Sequence, residues 1–423
     1  MSLDQSRKPS KWLITSRLGI SGLLAWCADT AFSQEALRES IAGEKAALAR
    51  KQGLESANYN LKAGPVKFLF DADLSVELND NVNVSEQDRQ EDLILRPQFN
   101  LRSFWPITEV NSVNLTVGLG YAKYFNNPQY DRFVVRPDSE LSFDIYVRNF
   151  RINLFDRFSY TQDPLSQGSV SGIAEYGGLS NTGGLTVDWD LNKLMVSFGY
   201  SHFNFISAVP QYDYINRGSD LFFARGGYQI SSTTVVGLEA TGGLTDYDEN
   251  IKLGDNSTYS AGLFATWQVS SKLRVNPRVG YVSYSFDPSV QIPSGNDANT
   301  YYFSIGVNHQ ISEFVSYSID AGRESQLGIN TDYLQLYFVR AQAAWNIIRK
   351  VGIVTEFFYE NGEETRISSG EIFDRFGAAI TLSHQFTEKL STRLTYRFTT
   401  KDSDIPLRGY HQNYLLLGLN YRF

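Results

Sequence analysis

Residues 66–78 read VKFLFDADLSVEL, and their pattern indicates the fold of the whole chain. From Phe68 to Leu78 every second residue is apolar, and the residues between them are mostly polar or charged, such as Asp71, Asp73 and Glu77. A period of two places successive side chains on opposite faces of an extended strand. The stretch therefore predicts a β-strand with one apolar face and one polar face.

The same alternation recurs along the chain to its last residue. Read at every second position, its apolar faces include Val113–Tyr121, Phe150–Phe158, Leu194–Tyr200, Tyr259–Val269, Tyr301–Val307, Phe376–Leu382 and Leu415–Phe423. About 18 such segments can be counted (roughly 16 to 18), and their length of about ten residues suits tilted strands that cross a bilayer. We therefore predict an all-β fold, a transmembrane antiparallel up-and-down β-barrel of about 18 strands.

Two kinds of connection alternate between these segments. Short turns lie around Arg148–Asn149, Asn192–Lys193, Ser231–Ser232, Ser270–Ser271, Ser312–Glu313, Ile348–Arg349 and Thr387–Glu388. Longer polar loops cover residues 79–91, 162–183, 206–217, 247–258, 287–298, 361–371 and 401–410. A barrel with both chain ends in the periplasm has short turns on that side and longer loops outside.

Aromatic residues on the apolar faces fall into two groups. Four Trp residues lie beside short turns: Trp105, Trp189, Trp267 and Trp345. Another group lies on the side of the longer loops: Tyr200, Tyr259, Tyr301 and Tyr333. Two aromatic bands at opposite strand ends are typical of the girdles at the two membrane interfaces. A soluble β-sandwich would account for the alternation but not for two bands.

The composition agrees with a barrel and excludes other classes. The 423 residues include 25 Tyr, 28 Phe and 33 Gly, which suits strands joined by tight turns. A net charge of −8, from 38 basic and 46 acidic residues, leaves no basic surface for nucleic acid. The single Cys excludes a disulfide framework, and no stretch after residue 33 has the roughly 18–20 apolar residues of a membrane helix.

The N-terminal region predicts two further segments. Residues 1–33 have the basic start, short apolar run and small residues of a secretory signal peptide, with a disordered tail as the alternative. Residues 34–57 are rich in Ala, Glu, Lys and Leu and predict a helix. The predicted organisation is a signal peptide over 1–33, a periplasmic helix and linker over 34–63, and the barrel over 64–423.

The end of the chain resembles a known signal. The segment combines alternate apolar residues with a terminal aromatic, carried by Gly418, Leu419, Tyr421 and Phe423. It is similar to the terminal-strand signal that the barrel-assembly machinery of bacterial outer membranes reads. The resemblance implies a Gram-negative-type outer membrane, its lipid and that machinery as partners.

Within that class the chain resembles the putative beta-barrel porin 2 group. The features that carry the resemblance are the strand Phe68–Leu78 and the run Glu77-Leu78-Asn79-Asp80-Asn81-Val82 at its end. In pattern it extends over residues 64–423. The group includes barrels associated with exopolysaccharide operons, so the resemblance implies a saccharide as cargo.

No pattern in the sequence points to catalysis or to a metal. The four His residues have no obvious Ser or Asp partner on the same predicted face. Residues 79–83 alternate Asn and Asp as calcium loops do, but the Gly and Glu that such loops need are missing. We expect no enzymatic activity, no metal and no cofactor.

The polar strand faces should line the barrel interior. The expected pore-lining residues are Arg96, Arg102, Arg136, Arg151, Arg157, Arg274, Arg278, Arg393, Arg397, Asp71, Asp73, Glu77, Asp138, Glu140 and Asp144. Two interpretations are open. The charges form ion pairs between neighbouring strands that stiffen the wall, or they form opposed basic and acidic walls that orient solutes.

The predicted function is porin-like passage of hydrophilic solutes, with saccharides as one class. One alternative is a component that exports or assembles extracellular polysaccharide, in which residues 34–57 contact a periplasmic partner. The other is a closed barrel that is structural or binds through its outer loops. The helix over 34–57 would plug the barrel, dock a partner or act as a tether.

Overall fold

The computed structural model describes residues 59–291, 295–365 and 370–423. The predicted signal peptide and the predicted helix over 34–57 lie outside these residues. Among the described residues, no helix has the length and apolar character needed to cross a membrane. Three short 3-10 helices, Pro128–Tyr130, Pro164–Ser166 and Pro210–Ile215, lie in connections between strands.

Twenty strand segments make up almost all of the described structure. They are β1 Leu61–Ala63, β2 Val66–Asn79, β3 Asp92–Pro106, β4 Ser112–Tyr124, β5 Arg132–Val135, β6 Glu140–Val147, β7 Phe150–Gln162, β8 Gly177–Leu191, β9 Leu194–Ser207, β10 Arg217–Ser231, β11 Thr234–Tyr247, β12 Asn256–Gln268, β13 Leu273–Phe286, β14 Asn296–Gln310, β15 Val315–Leu327, β16 Tyr333–Ile348, β17 Val351–Thr365, β18 Ile372–Gln385, β19 Leu390–Ser403 and β20 Tyr410–Arg422.

These segments form one antiparallel sheet that closes on itself. Neighbours in sequence pair as hairpins, and β2 pairs with β20 from Asp71 opposite Arg422 to Asn79 opposite Tyr414. Both β5 and β6 pair with β4 and with β7, so they are two parts of one wall strand interrupted around Pro137. With β1 as a short addition to the edge of β2, the wall has 18 strands, which confirms the predicted barrel.

The two ends of the barrel differ as predicted. Turns of two to five residues lie at one end: 107–111, 148–149, 192–193, 232–233, 269–272, 311–314, 349–350 and 386–389. The connections at the other end are 80–91, 125–131, 163–176, 208–216, 248–255, 287–295, 328–332, 366–371 and 404–409. The sequence pattern does not predict the loops 125–131 and 328–332. Loop 163–176 is shorter than the predicted 162–183 because β8 begins at Gly177.

The wall is apolar outside and polar inside. On β2, Leu74 and Leu78 are 46% and 53% exposed, whereas Asp73 and Glu77 are only 5% and 4% exposed. A soluble protein has the opposite arrangement, because exposed apolar surface is costly in water. In lipid the apolar face is favourable, and closure of the sheet satisfies the backbone groups that no water can reach.

The barrel closes at a seam between the first and last wall strands. Below the last β2–β20 pair, Asn60 continues the ladder. Its Nδ2 donates to the Phe70 carbonyl at 2.7 Å, and its Oδ1 accepts from the Phe70 N–H at 3.0 Å. The N–H of Phe423 also donates to the Phe70 carbonyl. The end of the predicted linker, residues 59–63, is thus attached to the wall at the periplasmic rim.

Candidate functional site: the barrel interior and the loop that crosses it

Two inward carboxylates of β2 bind arginines on nearby strands. Asp73 accepts two hydrogen bonds from the guanidinium of Arg393 on β19, at 2.6 and 2.9 Å. Glu77 accepts one from Nε of Arg96 on β3, at 2.8 Å. A buried carboxylate is costly without such partners, and charge-assisted bonds of this kind are the strong ones. An ion pair inside the barrel therefore links the first wall strand, β2, to β19 across the last strand, β20.

The hairpin β6–β7 carries two more pairs. Glu140 accepts from Arg157 Nε at 2.8 Å. Asp144 accepts from Arg151 Nη2 at 3.1 Å, and the same arginine lies 3.3 Å from Asp188 on β8. β6 carries both acids and β7 both arginines. Glu140 lies directly opposite Arg157, whereas Asp144 lies opposite Asn153 and reaches Arg151 diagonally.

A third group lies on β10 to β14. Glu239 on β11 is 3% exposed and accepts from Arg278 Nη2 at 2.5 Å and from the Tyr302 hydroxyl at 2.9 Å. Arg225 Nε lies 3.7 Å from the same carboxylate. Two arginines and a phenol thus surround one carboxylate, and these partners stabilise its negative charge inside the barrel.

The neighbouring strands β15 to β18 repeat the arrangement. Glu360 accepts from Arg375 Nε at 2.9 Å and from Arg340 Nη2 at 3.1 Å. Arg340 also lies 3.6 Å from Glu324. Nearer the mouth, Lys401 and Glu371 form a fully buried pair at 2.7 Å. The acid–base pairing therefore runs around much of the interior.

Several of these arginines also lie on aromatic rings. Arg157 lies 4.3 Å from the ring centre of Phe155, Arg225 lies 4.3 Å from that of Phe264, and Arg340 lies 4.5 Å from that of Phe338. A guanidinium on a ring face gains a cation–π attraction and keeps its edge free for hydrogen bonds. The stacking holds the charged groups close to the wall.

Loop 163–176, between β7 and β8, crosses the interior to the far wall. The carbonyl of Leu165 accepts from Arg375 Nη1 on β18 at 2.8 Å. The Gly168 backbone lies so close to Phe373 that an added Cβ would be 2.7 Å from its ring. The N–H of Gly172 donates to the Val84 carbonyl at 3.0 Å. Because Arg375 and Phe373 point inward, the loop narrows the passage through the barrel.

An apolar cluster fills the outer part of the interior. We call it the mouth cluster, and it consists of Val170, Tyr176, Phe203, Phe205, Tyr214, Ile215, Leu221, Tyr247, Leu253 and Ile329. Its residues come from loops 163–176, 208–216, 248–255 and 328–332 and from the strands around them. Burial raises the pKa of Tyr214 to about 12 and also raises the pKa of Tyr176. The outer loops therefore pack as a folded unit inside the mouth.

The extent of a family match decides what kind of barrel this is. A model of the family described as "Putative beta-barrel porin 2" matches residues 63–423. The chain belongs to this family. It is a porin-like protein of the bacterial outer membrane.

Solved porins have a similar barrel. OccK1 (OpdK) of Pseudomonas aeruginosa has a TM-score of 0.47 and 10% identity, with 84% of this chain and 99% of that chain covered. OpdQ of the same organism and OccAB3 of Acinetobacter baumannii each have a TM-score of 0.49 and 11% identity, with 85% of this chain and 100% of theirs covered. The comparison with curated proteins found no match.

The porin holds most of the expected pore-lining residues in polar contacts. Arg136 binds Asp138 through two bonds, at 3.0 and 3.3 Å, and Asp71 accepts from Asn100 Nδ2 at 2.7 Å. Arg274 donates to Gln268 at 2.9 Å, and Arg397 lies 5.1 Å from the ring centre of Tyr414. Arg102 lies on β3 opposite Leu69 and Thr116, and its side chain is half-buried. Their role as pore lining stays a prediction.

The expected girdle residues divide into two groups. Trp105, Trp267 and Trp345 are about half exposed at the turn ends of their strands, and Trp189 stacks on Phe150 at 5.2 Å. Tyr200, Tyr259 and Tyr301 are exposed on the outward face.

The assignment of Tyr333 to the outer girdle is wrong. Its side chain is 8% exposed and stacks on Tyr284 and Phe286, with ring centres 5.8 and 6.2 Å away. Because the rings of Tyr284 and Phe286 point into the barrel, Tyr333 lies in the barrel interior, although the alternation along β16 predicts an outward side chain.

The terminal signal residues lie on β20 and beyond its end. Tyr421 and Phe423 are exposed on the outer face, with ring centres 5.3 Å apart, and Phe423 also lies 6.5 Å from Phe99. Gly418 faces inward, and a Cβ added there would lie 2.9 Å from the Arg393 guanidinium, so a larger residue would require that side chain to shift. Their reading by the assembly machinery stays a prediction.

The structure adds functional residues to the expected pore-lining set. Arg375 and Glu360 hold the far side of the crossing loop, and their charge and inward parity were visible in the alternation of β17 and β18. His202 binds Asp220 at 2.9 Å, a pair that the sequence did not reveal. This pair lies on the outward face beside Tyr200 rather than in the interior.

Proposed function

We propose that the porin conducts uncharged hydrophilic solutes, with saccharides as its cargo, and that loop 163–176 limits their size. The observation that carries this proposal is the pattern of charge in the interior. Six inward carboxylates each bind an arginine of another wall strand: Asp73 and Glu77 on β2, Glu140 and Asp144 on β6, Glu239 on β11 and Glu360 on β17.

Local pairing has a direct consequence for the cargo. Opposed basic and acidic walls would create a field across the channel, which favours charged or dipolar solutes. In this barrel the acids that were expected to form one wall, Asp73 and Glu140, are bridged to Arg393 and Arg157. Paired charges offer hydrogen bonds to hydroxyl groups with little net attraction for an ion. The arrangement therefore suits sugars better than salts.

A closed barrel is the second candidate, and the mouth cluster favours it. Ten buried apolar residues from four loops and their strands meet in the outer interior. Such packing resists entry unless part of it moves. A role in polysaccharide export would depend on residues 34–57, which lie outside the described structure, and stays a prediction. We propose no catalytic step.

The test is reconstitution of the mature chain into planar bilayers and liposomes. We expect stable conductance, a reversal potential near zero in a KCl gradient, and liposome swelling with neutral sugars up to a size limit. Replacing residues 167–173 by two glycines should raise the conductance about twofold or more and admit larger sugars. Glu249→Gln, which changes an exposed charge on another loop, serves as the control.

Two outcomes would contradict the proposal. Strong selectivity for cations or anions would mean that the interior charges act as opposed walls. If neither the full chain nor the loop variant conducts ions while folded protein is present in the membrane, the result would favour the closed barrel.

A further inference from the structure

The pairing of β14 with β15 stops short of the ends of both strands. The ladder runs from Gln310 opposite Ser316 to Phe303 opposite Arg323. Above that point residues 296–302 of β14 pair with β13, and residues 324–327 of β15 pair with β16. The wall is therefore interrupted on the loop side between two long strands.

The strand segments beyond the interruption belong to one hairpin that leans inward. We call residues 322–336 the inner hairpin, which joins the end of β15 to the start of β16. On its outward-parity face, Arg323, Ser325 and Leu327 are 5%, 0% and 5% exposed. Lower on the same face of β15 and β16, Ile319 and Tyr337 are exposed as lipid-facing residues should be.

The contacts show what covers that face. Leu327 and Tyr333 share a buried cluster with Val282, Tyr284, Phe286 and Ala298, which point inward from β13 and β14. The outer face of the inner hairpin thus packs on the inner face of its neighbours. At the tip, Ile329 joins the mouth cluster, and Asn330 Nδ2 donates to Glu364 at 3.3 Å.

Arg323 occupies the place where the ladder stops. Its guanidinium donates to Thr300 Oγ1 at 2.7 Å, to the Tyr301 carbonyl and to Gln335 Oε1. It also lies 4.2 Å from the ring centre of Tyr301. A side chain therefore satisfies a β14 carbonyl that a strand neighbour would otherwise satisfy. The next hydroxyl on β15, Ser325 Oγ, is buried without a hydrogen-bond partner.

We propose that the inner hairpin is the gate of the channel and that it has two positions. In the inward position it completes the mouth cluster. In the outward position the β14–β15 ladder continues in its existing register, with Tyr302, Tyr301, Thr300 and Asn299 opposite Glu324, Ser325, Gln326 and Leu327. The outward position replaces the Arg323 bond to Tyr301 by backbone pairing and withdraws Ile329 from the mouth.

The register gives a test that separates the two positions with cysteine pairs. Asn299 and Ala298 are adjacent on β14 and point to opposite faces. In the inward position Leu327 shares a buried cluster with Ala298. In the outward position it would lie opposite Asn299. The chain has a single Cys, Cys27, which lies within the predicted signal peptide, so a mature chain offers no competing thiol.

We expect the double variant Ala298→Cys, Leu327→Cys to crosslink readily and to lose conductance, with recovery after a reducing agent. The matched variant Asn299→Cys, Leu327→Cys should crosslink more slowly and then remain open. Arg323→Gln, which removes the charged donor, should raise the open probability about tenfold. Heat-dependent gel mobility confirms that each variant is folded.

The proposal rests on the proposed channel function for its conductance readout, whereas the crosslinks report hairpin position independently. If the Asn299 pair never forms under prolonged oxidation, the outward position does not exist and the gate is overturned. If both pairs form but neither changes a measurable conductance, the hairpin moves without acting as a gate. If both pairs form and no variant conducts, the channel function itself has failed.

Discussion

In the described wall, the strand ladder ends early at the β2–β20 seam and between β14 and β15, and the two ends are completed in different ways. At the β2–β20 seam, Asn60 bonds to both backbone groups of Phe70, so a neutral amide acts as the missing strand neighbour. At the β14–β15 interruption, the charged Arg323 bonds to the Tyr301 carbonyl and two side chains. The first arrangement extends regular pairing, whereas the second replaces pairing that the register would allow.

The difference separates closure of the barrel from control of its mouth. The β2–β20 ladder ends early at the periplasmic rim, and above that end pairing over nine residues and the ion pair Asp73–Arg393 hold the seam shut. The other interruption lies beside loops that pack as a cluster. Four predictions test whether the first site governs assembly and the second governs opening.

The largest effect should follow a change at the end of β20. We expect Phe423→Ala to lower the yield of folded barrel in the outer membrane about tenfold or more, since the terminal aromatic carries the expected assembly signal and packs beside Tyr421. The measurement is the heat-modifiable band in membrane fractions. Phe99→Ala removes a ring that packs on Phe423 but keeps the signal. An equal loss in both variants would assign the effect to packing alone.

A large effect on opening should come from the inner hairpin. Tyr333→Ala removes the stack on Tyr284 and Phe286, and each aromatic pair of this kind is worth about 0.5–1.5 kcal/mol. Because that loss falls on the inward position, single-channel records should show about tenfold more open time. Tyr281→Ala, on the lipid-facing side of β13, should leave gating unchanged. Unchanged gating in Tyr333→Ala would remove the distinction between the two sites.

Alkaline pH should open the mouth and spare the β2–β20 seam. Burial raises the pKa of Tyr214 to about 12, in a setting that also holds Tyr212, Glu364, Arg408 and Lys252. A phenol released to water ionises near pH 10, so the packed mouth loses stability as pH rises from about 10 to 12. Open probability should therefore increase over that range, and Tyr214→Phe should weaken the increase. A fall in conductance with rising pH would have the wrong sign.

The smallest effect should follow loss of the amide at the rim. Asn60→Ala deletes two hydrogen bonds to Phe70, worth about 1–2 kcal/mol together for docking of β1. Limited proteolysis should cleave near residues 59–65 sooner, while conductance stays the same. Asn60→Asp keeps the oxygen that accepts from the Phe70 N–H, so its rate of cleavage should lie between those of the wild type and Asn60→Ala. A change in gating would show that the two sites are coupled.

Period-two alternation predicted the barrel, its two faces and the inward orientation of most charged strand residues. It worked because lipid outside and water inside act on every strand alike. The alternation did not identify which charged residues form ion pairs. Asp73 and Arg393, for example, are far apart in sequence and meet only when the barrel closes. It also missed the break between β5 and β6, where Pro137 interrupts the wall strand.

The errors lie where the chain leaves the wall. The alternation along β16 predicts that Tyr333 faces the lipid. Because the inner hairpin leans into the barrel, this face instead packs on the inner side of β13 and β14. The crossing of loop 163–176 was also missed. A signal for it exists in the sequence, because Val170, Ile173 and Tyr176 are too apolar for a loop in water, and all three pack in or against the mouth cluster.

The ion pairs of the interior have a consequence for biogenesis. Glu77–Arg96, Glu140–Arg157 and Glu360–Arg375 each join the two strands of a single hairpin. A hairpin that enters the bilayer therefore brings its own counter-charge, and insertion in pairs of strands leaves few bare ions in lipid. Asp73–Arg393 differs, because its partners come from opposite ends of the barrel domain. Its formation marks the moment at which the last strand reaches the first.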